Sequence, residues 1–337
     1  MIWSIVSLFV VFAVIRGIWY AIGKFWAWLG KGKRLRSAVE DGRVSESVRV
    51  AVAQIEREEA LRKLGQAAAE ETRAEVKEVA AGHLSPVQAN RNRRRRSKLT
   101  REQMAEVRAA RAAERDAYVA GMHLNWYHVV ILFFLGSILG LVIEELWMFA
   151  TAGLTESRVG LVWGPFSPLY GVGAVLLTLL TFWMQRKGLP LWVVFVVSMV
   201  TGGVLEQFAG WAMETLFGAV SWDYIAGGIP GAISKWVAVP FLFFWGLLGL
   251  VWSKLIMPEL LFRIGKPTTV RQVTFMSLLA AYLAFDIFMT FSCFARQAER
   301  EAGEPASSSF EMWIDENFTD EFIANRFQNL VINGADE

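Results

Sequence analysis

Six stretches of the chain are apolar over roughly the 20 residues that a helix needs to cross about 30 Å of hydrocarbon. They are residues 2–20, 127–150, 169–184, 191–211, 236–256 and 273–293. The expected fold is therefore all-α: a polytopic membrane bundle of about six transmembrane helices. Charge supports the division. Only 20% of residues are charged, below the quarter usual in soluble domains, and they gather between Lys31 and Arg115 and again after Arg296. Four segments follow: an N-terminal transmembrane anchor, 1–30; a charged helical insert, 31–121; a five-span core, 122–296; and an acidic amphipathic tail, 297–337. The first apolar stretch contains Arg16 and lacks a basic start and a small-residue cleavage site, which reads as an uncleaved anchor.

Basic residues set the expected orientation. Lys31, Lys33, Arg34 and Arg36 follow the first span, Arg186 and Lys187 the third, and Lys254, Arg263, Lys266 and Arg271 lie around the loop between the fifth and sixth. The alternate loops hold only Arg158 and Lys235. This places the insert in the cytoplasm and both termini outside, in a multi-pass protein of the cell membrane.

Within the insert, Val48, Val52 and Ile55 keep helical spacing, as do Leu61 and Leu64, and Gly82 and Pro86 interrupt the pattern, so two helices are expected. The run RNRRRRSK, from Arg91 to Lys98, has no aromatic or base-reading company to make a nucleic-acid site. Contact with anionic lipid and a plain solvated face both explain it. In the tail, Phe310, Trp313, Ile314, Phe318, Phe322, Phe327, Leu330 and Val331 fall near a helical period. A helix lying on the outer surface or capping the outer mouth would produce this, and so would a helix packed on an outer loop.

No metal or cofactor site stands out. Cys293 is the only cysteine, which excludes a Cys₂His₂ zinc site, and His123 and His128 are five apart, on opposite sides of a helix.

The ionisable residues inside the spans are the functional candidates, because burying a charge in lipid is costly. They are Glu144 and Glu145 in the second span, Glu206 in the fourth and Asp286 in the sixth. At about 1.5 Å per residue, Glu144, Glu206 and Asp286 lie about 25, 23 and 20 Å from the cytoplasmic ends of their spans. That level is common to all three, so they can converge on one outward-facing polar cavity. Each also sits toward the negative end of its helix dipole and needs a compensating proton, cation, or Arg158 and Lys235 from the outer loops. A structural network of ion pairs and hydrogen bonds is the other reading of the same residues. Glu214 and Asp223 add two acids just beyond the fourth span, within the run Ser221-Trp222-Asp223-Tyr224.

Between Gly160 and Gly173 lie two prolines and four glycines, with Gly164, Pro165, Pro168, Tyr170 and Gly171 leading into the third span. Irregular backbone at membrane depth survives only when buried in protein or lining a cavity. A re-entrant loop fits this stretch, as does a tight outer loop anchored by Trp163 and Tyr170.

The runs ILFFLGSILGLVIEE, RVGLVWGPFSPLYGVGA, VLEQFAGWAMETLFGAVSWDY and FFWG, followed by Asp286, resemble the bacterial CmpB-type ABC-transporter permease family over roughly residues 129–296. The family's G-W-L-L-E reads Gly140-Leu-Val-Ile-Glu144 here, so the acid is kept and the tryptophan is not. Arg158 matches the family's arginine before the GP loop, whereas Pro230-Gly231 stands where the family usually has Pro-Asn. The resemblance implies a transport permease served by a separate ATPase or other cytoplasmic partner. No phosphate-binding loop of its own is present, since the stretch at Gly265-Lys266-Pro267-Thr268 has Leu260 where the first glycine belongs. Against a permease stand two other functions: a membrane enzyme using paired carboxylates on outer-leaflet lipid or envelope substrates, and a non-catalytic scaffold or sensor whose insert binds a partner. No catalytic motif is recognisable.

Overall fold

A computed structural model describes Val50, Ala53 and residues 101–267 and 269–332. The first expected span, the helix break at Gly82 and Pro86, and the RNRRRRSK run lie outside the described residues. The chain divides into two compact units, residues 31–121 and the remainder. In the first, α1 covers Arg101–Gly121.

Among the described residues, the second unit holds five helices long and apolar enough to cross a membrane. These are α2 (Trp126–Ala152), α3 (Pro168–Arg186), α4 (Leu191–Phe217), α5 (Val239–Ile264) and α6 (Val270–Glu301). Two short helices follow, α7 (Ser309–Asn317) and α8 (Asp320–Arg326). The only pairing of strands among the described residues is two residues long: β1 (Ala219–Val220) runs antiparallel to β2 (Val331–Ile332). The outward faces of the spans expose Ile143, Trp192, Val204, Leu255 and Leu278, each more than 60% accessible. Such faces are what lipid covers.

Local chemistry sets the helix ends. Asn125 caps α2 by accepting from the Tyr127 N–H, and Thr269 caps α6 in a reciprocal box with Gln272. Gly153 and Gly218 end α2 and α4 in the left-handed conformation (φ 69° and 62°), where glycine carries no Cβ penalty. In α5, Pro258 has no N–H to give, and the Met257 N–H reaches back to the Trp252 carbonyl in a π turn. That leaves the Ser253 carbonyl for the Gln185 side chain, which ties α3 to α5.

Helices α2 with α3, and α4 with α5, form two closely packed hairpins. With the spans alternating in direction, the loops 153–167 and 218–238 and the tail 302–332 share one end of the bundle. The tail is folded onto that end. Ile314, Phe318, Ile323 and Phe327 are buried with Leu141, Val162, Phe217 and Phe294, so its aromatic stripe packs on loops and helix ends. Polar contacts add to this: the Ser157 N–H donates to Gln328 Oε1 at 2.7 Å, and Asn329 Nδ2 donates to Ser221 Oγ at 2.8 Å.

Candidate functional site

One sequence device recurs three times: a glycine that seats an aromatic ring, and a glutamate one turn later that takes a polar group from the same neighbouring segment. Residues four apart share a helix face, so the glutamate lies directly beyond the seated ring. At Gly140 a Cβ would fall inside Tyr170, whose hydroxyl lies close enough to Glu144 to act on its charge. At Gly202 it would fall inside Trp245, whose Nε1–H donates to Glu206 Oε1 at 2.9 Å. At Gly210 it would fall inside Trp236, and the adjoining Lys235 Nζ meets Glu214 Oε1 at 2.7 Å.

The three glutamates differ in what balances them. Glu144 pairs with Arg158 Nε at 2.9 Å, and that guanidinium also holds Glu156 at 3.0 Å. Glu214 has Lys235, with Asp223 at 3.9 Å from the same ammonium. Glu206 has no cation among the described residues. It is only 9% exposed, and its Oε2 has no hydrogen-bond partner. A buried carboxylate with half its acceptors unfilled is costly to keep ionised.

Glu144 and Glu206 meet at a pair of tyrosines, with both charges reaching the hydroxyls of Tyr170 and Tyr224. Tyr224 stacks on Phe241 at 4.6 Å between ring centres. Burial, then the charges of Glu206 and Glu144, raise its pKa well above the ordinary tyrosine range, so it stays a hydrogen-bond donor. Asp223 braces this loop by accepting from the N–H groups of Ile225 and Ala226, and the Trp222 indole donates to the Trp236 carbonyl at 3.2 Å.

Asp286 has a different set of partners. It is fully buried at the middle of α6, about 24 Å from the helix start. Its Oδ1 accepts the Trp163 N–H at 3.0 Å, and Thr290 Oγ1, one turn on, accepts the Val162 N–H at 2.9 Å. Oδ2 has no partner in hydrogen-bond geometry, although the Tyr282 hydroxyl and Arg326 lie near enough to act on its charge. Arg326 comes from α8 in the tail and donates to the carbonyls of Leu161 and Gly164. Burial draws the Arg326 pKa below the ordinary arginine range, against the pull of Asp286 and Tyr282.

The irregular loop therefore runs down the side of α6 to the level of Asp286, with Leu161, Val162 and Phe166 buried. Its backbone is satisfied by α6 and by the tail. Gly164 holds φ 69°, Pro168 opens α3 at its first turn, and Gly171 lets α3 press against Phe133 and Ser137. Of the residues picked out in the sequence, the structure brings Glu144, Arg158, Tyr170, Glu206 and Tyr224 into one polar centre at the seam of the two hairpins. It gives Asp286 a second centre, joined to the first through the loop from Arg158 to Trp163. Glu214, Asp223 and Trp222 form the brace of the loop at 221–236. Trp245, Trp236, Tyr282 and Arg326 were not singled out beforehand. The FFWG run contains Trp245, whereas nothing in the sequence marks Arg326, which looks like any tail cation. Among the described residues no three His, Cys, Asp or Glu side chains gather as a metal-binding set.

A five-span helical core with buried carboxylates at the seam of two hairpins defines a polytopic membrane protein. Residues 131–291 match the family described as "Putative ABC-transporter type IV", the CmpB-type group. The insert and the tail fall outside the match. No curated protein and no solved structure matches the chain.

Proposed function

We infer that this chain is the membrane-spanning permease subunit of an ABC-type transporter, with the ATPase on a separate polypeptide, and that Glu206 is its cation- or proton-accepting group. The observation that carries the reading is the unpaired, buried Glu206 carboxylate between Tyr170 and Trp245, while both neighbouring glutamates have cations of their own. An ionisable group at that depth marks a pathway or relay when nothing neutralises it. Asp286, also with one oxygen outside any hydrogen bond, lies beside the loop that leads into α3 and would form the second station of the same path.

Arg186, Lys187, Arg263, Lys266 and Arg271 gather at the end of the bundle opposite the tail, and the positive-inside rule puts that end in the cytoplasm of the cell membrane. The end of the bundle that carries the tail and the loops around these buried carboxylates then faces outside, and the insert, 31–121, serves the ATPase on the cytoplasmic side. Its Arg91 to Lys98 run would touch anionic lipid.

The test is flux in proteoliposomes that contain the full chain, with an internal pH dye and, separately, radioactive sodium as probes. Glu206→Gln should abolish the flux seen with the wild type, Glu144→Gln and Asp286→Asn should lower it, and Glu299→Gln should not change it. Undiminished flux through Glu206→Gln would remove the basis of the proposal.

A further inference from the structure

A second site lies on the outer side of α2. Glu145 follows Glu144 but points a quarter-turn away, out of the seam. It lines a cavity of about 580 Å³ between the last turns of α2, the start of the loop and the tail. Leu146, Phe149 and Leu154 form its apolar wall, and Glu145, Glu156 and Gln328 its polar one. Leu146 and Phe149 are 62% and 61% exposed, so the apolar wall runs on into the face that lipid covers. Glu156 is held by Arg158, and Glu145 has no cation among the described residues.

We propose that this cavity binds an amphipathic cation, an amine or quaternary ammonium on an alkyl chain, with its head between Glu145 and Glu156 and its chain along Leu146 and Phe149. Charge complementarity selects the occupant. A neutral alkyl chain gains nothing from the acids, and an anionic head would be repelled by them. The position also links the site to the interior, because an ammonium seated at Glu156 competes with Arg158, the same guanidinium that neutralises Glu144. Such chemistry comes either from an aminolipid headgroup or from a free amphiphilic amine. The site stands independently of the Glu206 reading, since Glu145 faces away from the seam.

The experiment uses the purified full chain in nanodiscs of phosphatidylglycerol, titrated with dodecyltrimethylammonium and, as control, dodecanol. Saturable binding of the cation alone is expected. Glu145→Gln should weaken it about tenfold, as loss of one close opposite charge at a half-buried site does. Leu146→Trp, which fills the cavity and leaves both acids, should do the same. A second arm adds phosphatidylethanolamine to the discs and counts retained lipids by native mass spectrometry. A retained aminolipid that is lost in Glu145→Gln identifies a headgroup as the source, and alkylammonium binding without such retention identifies a free amine. Equal binding of dodecanol, or wild-type affinity in both Glu145→Gln and Leu146→Trp, overturns the proposal. A failure here leaves the Glu206 flux test untouched.

Discussion

The Trp245 indole lies in the space left open by Gly202 and donates its N–H to Glu206, so that a single side chain packs α4 against α5 and positions the buried carboxylate between them. Trp245→Phe keeps the ring and removes the donor, leaving Glu206 with no partner among the described residues. Stability should fall by about 1–3 kcal/mol, the usual cost of an orphaned buried acceptor. Thermal or denaturant unfolding in detergent measures it. Combining Trp245→Phe with Glu206→Leu should recover part of the loss, because no acceptor is then left unsatisfied.

The glycine seats admit no methyl group. Gly140→Ala and Gly202→Ala should each destabilise by about 1–3 kcal/mol through overpacking against Tyr170 and Trp245. Gly121→Ala, at the end of α1 with nothing near its added Cβ, should cost nothing in the same unfolding assay.

Acid should loosen the tail. Burial pushes the Asp315 carboxyl up, but hydrogen bonds from Arg296 and Arg300 overcome this and hold it below the ordinary aspartate value. A depressed folded value gives stability that is complete above the unfolded value, about 3.9, and lost as pH falls through the folded one. Protease protection of residues 302–332 should therefore hold from neutral pH down to about 5 and fade only below about 4. Asp315→Asn should show reduced protection from neutral pH down to about 5 and converge with the wild type at the acid end. Protection in the wild type that was already lost at pH 6 would contradict this.

Arg326→Gln should free the tail from the loop carbonyls of Leu161 and Gly164, speeding proteolysis after α6 several-fold at neutral pH. Arg326→Lys should restore little, because an ammonium lacks the planar fork that reaches both carbonyls.

Hydrophobic length made the spans legible before any coordinates. The stretches 127–150, 169–184 and 191–211 lie inside α2, α3 and α4, and 273–293 inside α6. Where helices run longer, as α4 does to Phe217 and α6 to Glu301, their polar final turns pack on loops and tail beyond the hydrophobic stretch, which a hydropathy window does not see. The stretch 236–256 starts three residues before α5, because Trp236 belongs to the loop and fills the seat at Gly210. The acids were also legible, since charge in an apolar run is conspicuous. Their grouping was not. Equal depth says nothing about direction around a helix, and Asp286 faces the loop at Trp163 while Glu144 and Glu206 face Tyr170. Which cation serves which acid depends on loop paths that no periodicity encodes: Arg158 goes to Glu144 and Lys235 to Glu214.

The aromatic rings set into glycines make each hairpin stiff, one through Tyr170 on Gly140, the other through Trp245 on Gly202 and Trp236 on Gly210. Between the hairpins the covalent link is short and turns at Gly188, whose φ of 65° suits a pivot. If the bundle rocks, the two halves move as solid pieces and the gap that widens or narrows is the one holding Glu206. A change of tilt would then become a change in how far apart Glu144 and Glu206 sit, and so in how strongly that gap attracts positive charge.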